Sequence, residues 1–121
     1  MASHFCRIFL IALFLCQGCG PITASSKISD AREQIVKAAQ VEAPKYAPFE
    51  YQGALLYLEK AREEEGYAYY QDSVTLAKKA FGLAVDAQRL AQQRKAEEIA
   101  EAAKKAAEQK EAEAKETEPK E

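Results

Sequence analysis

Beyond Gly20 the chain has no cysteine, beyond His4 no histidine, and nowhere a tryptophan. These absences remove much chemistry. Without histidine the body of the chain builds neither Ser-His-Asp nor Cys-His catalysis, and no His/Cys zinc site. Without a downstream thiol, no disulfide staples that body. Glycine and proline are sparse, at 5 and 4 in 121 residues, and no glycine-rich phosphate loop occurs. The 17 basic residues are offset by 19 acidic ones, so the basic stripe of a nucleic-acid binder is missing. Glu63, Glu64 and Glu65 are adjacent acids, but consecutive helical residues point in different directions, so they read as a solvated helix end and not a calcium site. A carboxylate pair of glycosidase type lacks an evident cleft in so small an alanine-rich chain. The expectation is a non-enzyme with no catalytic residue, no metal, no cofactor and no nucleic-acid partner.

What is present begins with an apolar run. His4 and Arg7 precede IFLIALFL, Ile8 to Leu15. Eight residues fall short of the ~20 that span a bilayer, and suit the core of an export signal. The run ends in LCQGCG, where Gly18 directly precedes Cys19. The stretch resembles the bacterial lipobox, usually Leu-x-Gly/Ala-Cys, with Cys16 in the place of the leucine and Leu15 one residue further back. A small residue before the cysteine favours Cys19 over Cys16, which follows bulky Leu15. The resemblance implies a signal peptide over 1–18 and lipidation of Cys19 as the mature N-terminus. Acyl chains supply ~0.8 kcal/mol per buried methylene and hold a protein on a membrane. Secretion with a different cut, and retention of the run as a short uncut anchor, are the competing readings. Gly20 stands where aspartate would favour inner-membrane retention in many Gram-negative bacteria, so the lipid anchor is expected in the bacterial outer membrane, facing the periplasm.

The rest reads as helix. Residues 19–27 are expected as a polar tether, and Asp30 with Glu33 as a capping box. Ile28, Ala31, Ile35, Ala38 and Glu42 follow a 3/4 spacing that predicts a first helix from about Ser29 to Val41, ended by Pro44. Pro48 opens a second helix with the stripe Tyr51, Ala54, Leu58 and Ala61. Phe49, Leu55, Leu56 and Tyr57 spread its apolar surface around, as for a helix in the middle of a bundle. Gly66 is its expected C-cap. A third helix carries Tyr70, Ser73, Ala77, Ala80, Ala84, Ala87 and Ala91, flanked by Leu76, Leu83 and Leu90 at intervals of seven. The predicted class is all-α: a small antiparallel three-helix bundle over 28–92, with the third helix running on into a charged extension, 93–121. From Arg94 to Glu121, 24 of 28 residues are Ala, Glu, Lys or Arg, and Ile99 is the only large apolar one. Pairs such as Glu101–Lys105 and Lys104–Glu108 support an exposed helix to around Lys115, with a frayed end at Pro119. Such a tail is either solvated and alone, an arm reaching an envelope protein or peptidoglycan, or a weak coiled coil giving a weak homo-oligomer.

Residues 28–91 resemble the bacterial lipoproteins that carry the uncharacterised domain of unknown function 4398. The resemblance rests on ISDAREQIVKAA in the first helix, YAPFEYQGA leading into the second and GYAYYQDSVTLAKKA in the third. The chain departs from that pattern with Ser73 where alanine is usual and with YAYY at Tyr67 to Tyr70. The family has no assigned biochemical activity, so the resemblance implies fold and location only. The last two helices also resemble one tetratricopeptide-like pair, at Leu55, Tyr57, Gly66, Tyr70 and Ala77; one unit does not stack into a groove.

The 6 tyrosines lie between Tyr46 and Tyr70. Most read as packing, with hydroxyls at the rim. Tyr67 and Tyr69 fall off the main stripe and are the candidate partner contacts, since tyrosine is favoured at interfaces. The leading expectation is therefore a non-catalytic outer-membrane lipoprotein that acts as a cell-envelope adaptor or spacer. The alternative is a periplasmic peptide- or protein-binding module, chaperone-like, gripping through the tyrosine-rich turn.

Overall fold

The computed structural model describes residues 19–116; the expected signal peptide 1–18 and the fraying expected at Pro119 lie outside the described residues. Within them the protein is all-α, with four helices and no strand: α1 (Cys19–Gln40), α2 (Ala43–Tyr46), α3 (Pro48–Gly66) and α4 (Tyr70–Glu116).

One spacing rule builds the core. Along α1 the buried residues are Ala24, Ile28, Ala31, Ile35 and Ala38; along α3 and its N-cap they are Ala47, Ala54, Leu58 and Ala61; along α4 they are Ser73, Ala77, Ala80, Ala84, Ala87 and Ala91. With half-buried Tyr51 in its place, each series advances by alternating steps of four and three, which keeps one face inward. In α1 and α3 alanine alternates with a bulky residue, whereas every α4 position is small. Helix α4 thus offers a low surface, and Ile28, Ile35, Tyr51 and Leu58 fill the space against it. At about 1.5–3 kcal/mol for each fully buried large side chain and ~0.8 kcal/mol per alanine methyl, the few bulky residues and the many buried alanines contribute comparable apolar free energy. A second cluster joins Ala38, Ala43, Ala47, Ala87 and Ala91, with Val41, Tyr46 and Leu90 against it. The Ser73 hydroxyl, fully buried, donates to the Ala61 carbonyl at 2.8 Å and ties α4 to α3.

Contacts along the helices give their directions. Gly20 lies against Tyr70 at the start of α4, Ser25 bonds Glu65 near the end of α3, and Gln34 donates to Gln88 at 2.7 Å further along. Helices α1 and α4 therefore run the same way and α3 returns between their ends. Past Glu98, α4 continues as an exposed helix to Glu116, about 27 Å further at 1.5 Å per residue.

Several local expectations are corrected. Helix α1 begins at Cys19, so 19–27 is helix and not a tether. Pro21 is tolerated in a first turn, where its missing N–H has no intrahelical partner. Ala24 extends the buried stripe by one step beyond Ile28, which outweighs the poor helix propensity of Thr23, Ser25 and Ser26. Asp30 is therefore mid-helix; it forms no cap but pairs with Lys27 at 2.9 Å, and Glu33 pairs with Lys37 at 2.8 Å. The connection around Pro44 is itself a single helical turn, α2, which makes four helices instead of three. Glu42 leaves the expected core stripe altogether: it is exposed, with φ 63°. Gly66 is the last residue of α3 and not its left-handed cap; that role falls to Ala68, at φ 63°. The Ala68 and Tyr69 amides close a Schellman pair on the Glu65 and Glu64 carbonyls at 3.0 and 2.9 Å. Phe49, Leu55 and Leu56 are exposed, because the partners of α3 cover one face only.

Candidate functional site

The two ends of the bundle differ in chemistry. At the first end α1 starts at Cys19, beside the turn between α3 and α4. Gly20 is what brings them together: a Cβ there would lie 3.3 Å from the Tyr70 ring. A shallow cleft lined by Gly20, Ala68, Tyr69, Tyr70, Gln71 and Asp72 opens at this junction. Tyr67 and Tyr69, the expected contact residues, stand on the turn at 66% and 60% exposure, their rings 6.3 Å apart and inclined at 40°. Ile22 is exposed one turn into α1. The other tyrosines are packing residues: Tyr51 and Tyr57 lie against the larger cluster and Tyr46 against the smaller. The structure thus gathers Cys19, Tyr67 and Tyr69 at one end, although Cys19 is far from the two tyrosines in sequence.

At the opposite end a polar clasp marks where α4 leaves the bundle. Glu42, in its left-handed position, pairs with Lys95. Arg94 donates to the Tyr46 carbonyl. The Lys45 ammonium donates to the Tyr46 hydroxyl at 2.8 Å, lies 4.3 Å from the ring centre of the same tyrosine and reaches Glu98 at 3.5 Å. The hydrogen bond from Lys95, and then its charge, hold the Glu42 carboxyl below its usual range and correspondingly raise Lys95. Glu98 is lowered first by its hydrogen bond with Tyr46 and then by the charge of Lys45. Lys45 is raised, chiefly by its bond to Tyr46. All of these groups are open to water, and their contacts orient the exit of α4.

Sequence reasoning missed this clasp. The signal was there: the alanine spacing runs on past Ala91 to Arg94 and Glu98, and charge at core spacing, opposite a two-proline connection, needs polar partners. Among the described residues no group of His, Cys, Asp or Glu is placed to hold a metal ion, and no helix is long and apolar enough to cross a membrane. No family model, curated protein or solved structure matches the chain.

Proposed function

We propose that the protein is a non-catalytic outer-membrane lipoprotein, anchored through Cys19 and facing the periplasm, that serves as an envelope adaptor or spacer. In this reading α1, α3 and α4 work as a small antiparallel three-helix bundle of the domain of unknown function 4398 type, and the α4 extension is the reaching arm. The observation that carries the reading is the opposition of the two ends. Cys19 opens α1 beside the start of α4, and α4 leaves the bundle at the other end, held there by the clasp. Measured along α4, the span is about 70 Å at 1.5 Å per residue. An anchor and a tip set at the two ends of one stiff helix suit a part that bridges from a membrane to peptidoglycan or to another envelope protein.

Metabolic labelling with a palmitate analogue tests the anchor. Label and membrane fractionation are both expected to be lost in Cys19→Ser; a variant that stays in the membrane fraction sinks the reading. Stopping the chain after Ala100 keeps Arg94, Lys95 and Glu98 and removes most of the arm. Envelope crosslinks should then disappear while the protein stays membrane-bound. The peptide-binding reading draws on the exposed Tyr67 and Tyr69 pair. It makes the opposite forecast, since a binder keeps its ligand without the arm.

A further inference from the structure

From sequence alone, the turn that carries Tyr67 and Tyr69 suits a protein-contact surface. Its place in the fold points elsewhere. It stands at the end of the bundle where α1 begins with Cys19, and the contact of Gly20 with Tyr70 fixes the two segments side by side. In the lipoprotein reading this is the end that meets the bilayer. Three large side chains are exposed around it: Ile22 at 73%, Tyr67 at 66% and Tyr69 at 60%. None of the three is a cation.

We infer that this turn is a membrane-contact surface: Tyr67, Tyr69 and Ile22 rest in the headgroup layer of the bilayer that holds Cys19. The inference deepens the lipoprotein reading and rests on it. Tyrosine suits that layer because its ring is apolar and its hydroxyl stays hydrated, which is why tyrosines gather at membrane interfaces. The pair also presents its ring surface with little loss of side-chain freedom, since each tyrosine has two rotatable torsions. Charge selects the lipid. Glu63, Glu64, Glu65 and Asp72 flank the turn, with Arg62 behind them, so the local balance is acidic. Anionic headgroups are repelled at such a surface, and zwitterionic ones such as phosphatidylethanolamine or phosphatidylcholine are not. A contact of this kind adds a second point of support beside the acyl chains, so the bundle stands upright on the membrane and α4 points away from it.

The absence of tryptophan provides the test. Tyr69→Trp gives a single fluorescent reporter on the turn, and Ile99→Trp gives one on the arm, where Ile99 is exposed. Each full chain is purified from membranes and reconstituted into phosphatidylcholine vesicles containing lipid with a nitroxide just below the headgroup. The expected result is about twofold quenching of the Tyr69→Trp reporter and none of the Ile99→Trp reporter. Replacing a third of the lipid by phosphatidylglycerol weakens the quenching. Protein that floats with the vesicles while the Tyr69→Trp reporter stays unquenched overturns the inference, as does protein that fails to float, or quenching seen only with phosphatidylglycerol. An unquenched reporter that becomes shielded on adding an unstructured peptide hands the turn to the peptide-binding reading. Intact mass of the same samples reports diacylglycerol on Cys19 independently, so a lost anchor and a lost contact are told apart.

Discussion

Between Tyr70 and Ala91, α4 turns an alanine or serine to the core at each step of three or four. Beyond Ala91 the same steps meet Arg94 and Glu98, and then an exposed run of Ala, Glu and Lys. The backbone is one uninterrupted helix through both halves, but different forces hold them. In the first half, burial against α1 and α3 does the work, and Gly82 is tolerated although glycine disfavours a helix interior. In the second half nothing is buried, so helix depends on alanine's high propensity and on a sequence that spaces Glu and Lys one turn apart. A helix can thus be sustained by its neighbours or by its own composition, and this one changes from one support to the other within a turn.

The difference can be broken by adding bulk. Ala84 is fully buried and lies in the larger core cluster, so Ala84→Leu forces extra methylene groups into packed space. It is expected to lower unfolding free energy by about 1–3 kcal/mol in urea titrations. Ala103→Leu, on the exposed arm, should leave the urea midpoint unchanged. Equal effects would show that the two halves are not held differently.

A smaller effect comes from Gly82, the one flaw in the buried half. A Cβ at this position meets nothing within 4 Å, so Gly82→Ala meets no clash. A gain of about 0.5–1 kcal/mol is expected, read as a higher melting temperature. A loss would mean that the added methyl meets a neighbour in solution.

The smallest effect lies at the boundary between the halves. Glu42 and Glu98 have lowered values, so the stability they add is complete above the ordinary carboxylate pKa of ~4.3 and disappears as pH falls through their folded values. Lys45 and Lys95 have raised values, so theirs is complete below ~10.4 and is lost as pH climbs through the folded values. Lys95→Met should return the Glu42 carboxyl toward its usual range in an NMR titration, with little change in unfolding at neutral pH. A Glu42 titration that does not move would mean that Lys95 is not its partner in solution.

Much of the core was legible in the sequence because it depends on spacing alone. The stripes Ile28–Ala38, Tyr51–Ala61 and Ser73–Ala91 face inward as their periodicity requires. What escaped was decided by tertiary context. Ser25 and Ser26 carry no helical signal of their own, yet burial of Ala24 draws them into α1. Gly66 looked like the cap, but the chain runs two residues further, so Ala68 takes the left-handed angle that glycine would adopt more readily. Of the candidate site, Cys19, Tyr67 and Tyr69 were legible one by one as residues. Their meeting at one end depends on the direction of α1 against α4, which no local pattern states. The clasp needed the same knowledge, because Glu42 and Lys95 are 53 residues apart.

The alanine face of α4 has one more consequence. Ala77, Ala84 and Ala91 repeat every seven residues, as do Ala80 and Ala87 beside them and Leu76, Leu83 and Leu90 along the flank. A shift of α4 by one heptad, about 10 Å along its axis, would bring nearly the same surface to α1 and α3. The alanine face therefore behaves like an unnumbered scale and cannot say how far the arm extends. The setting is fixed by polar contacts spaced along the helix: the buried Ser73 hydroxyl on Ala61, the Gln34 amide on Gln88, and the grip of Arg94 and Lys95 on Tyr46 and Glu42. A handful of polar atoms thus decides the reach of the whole molecule.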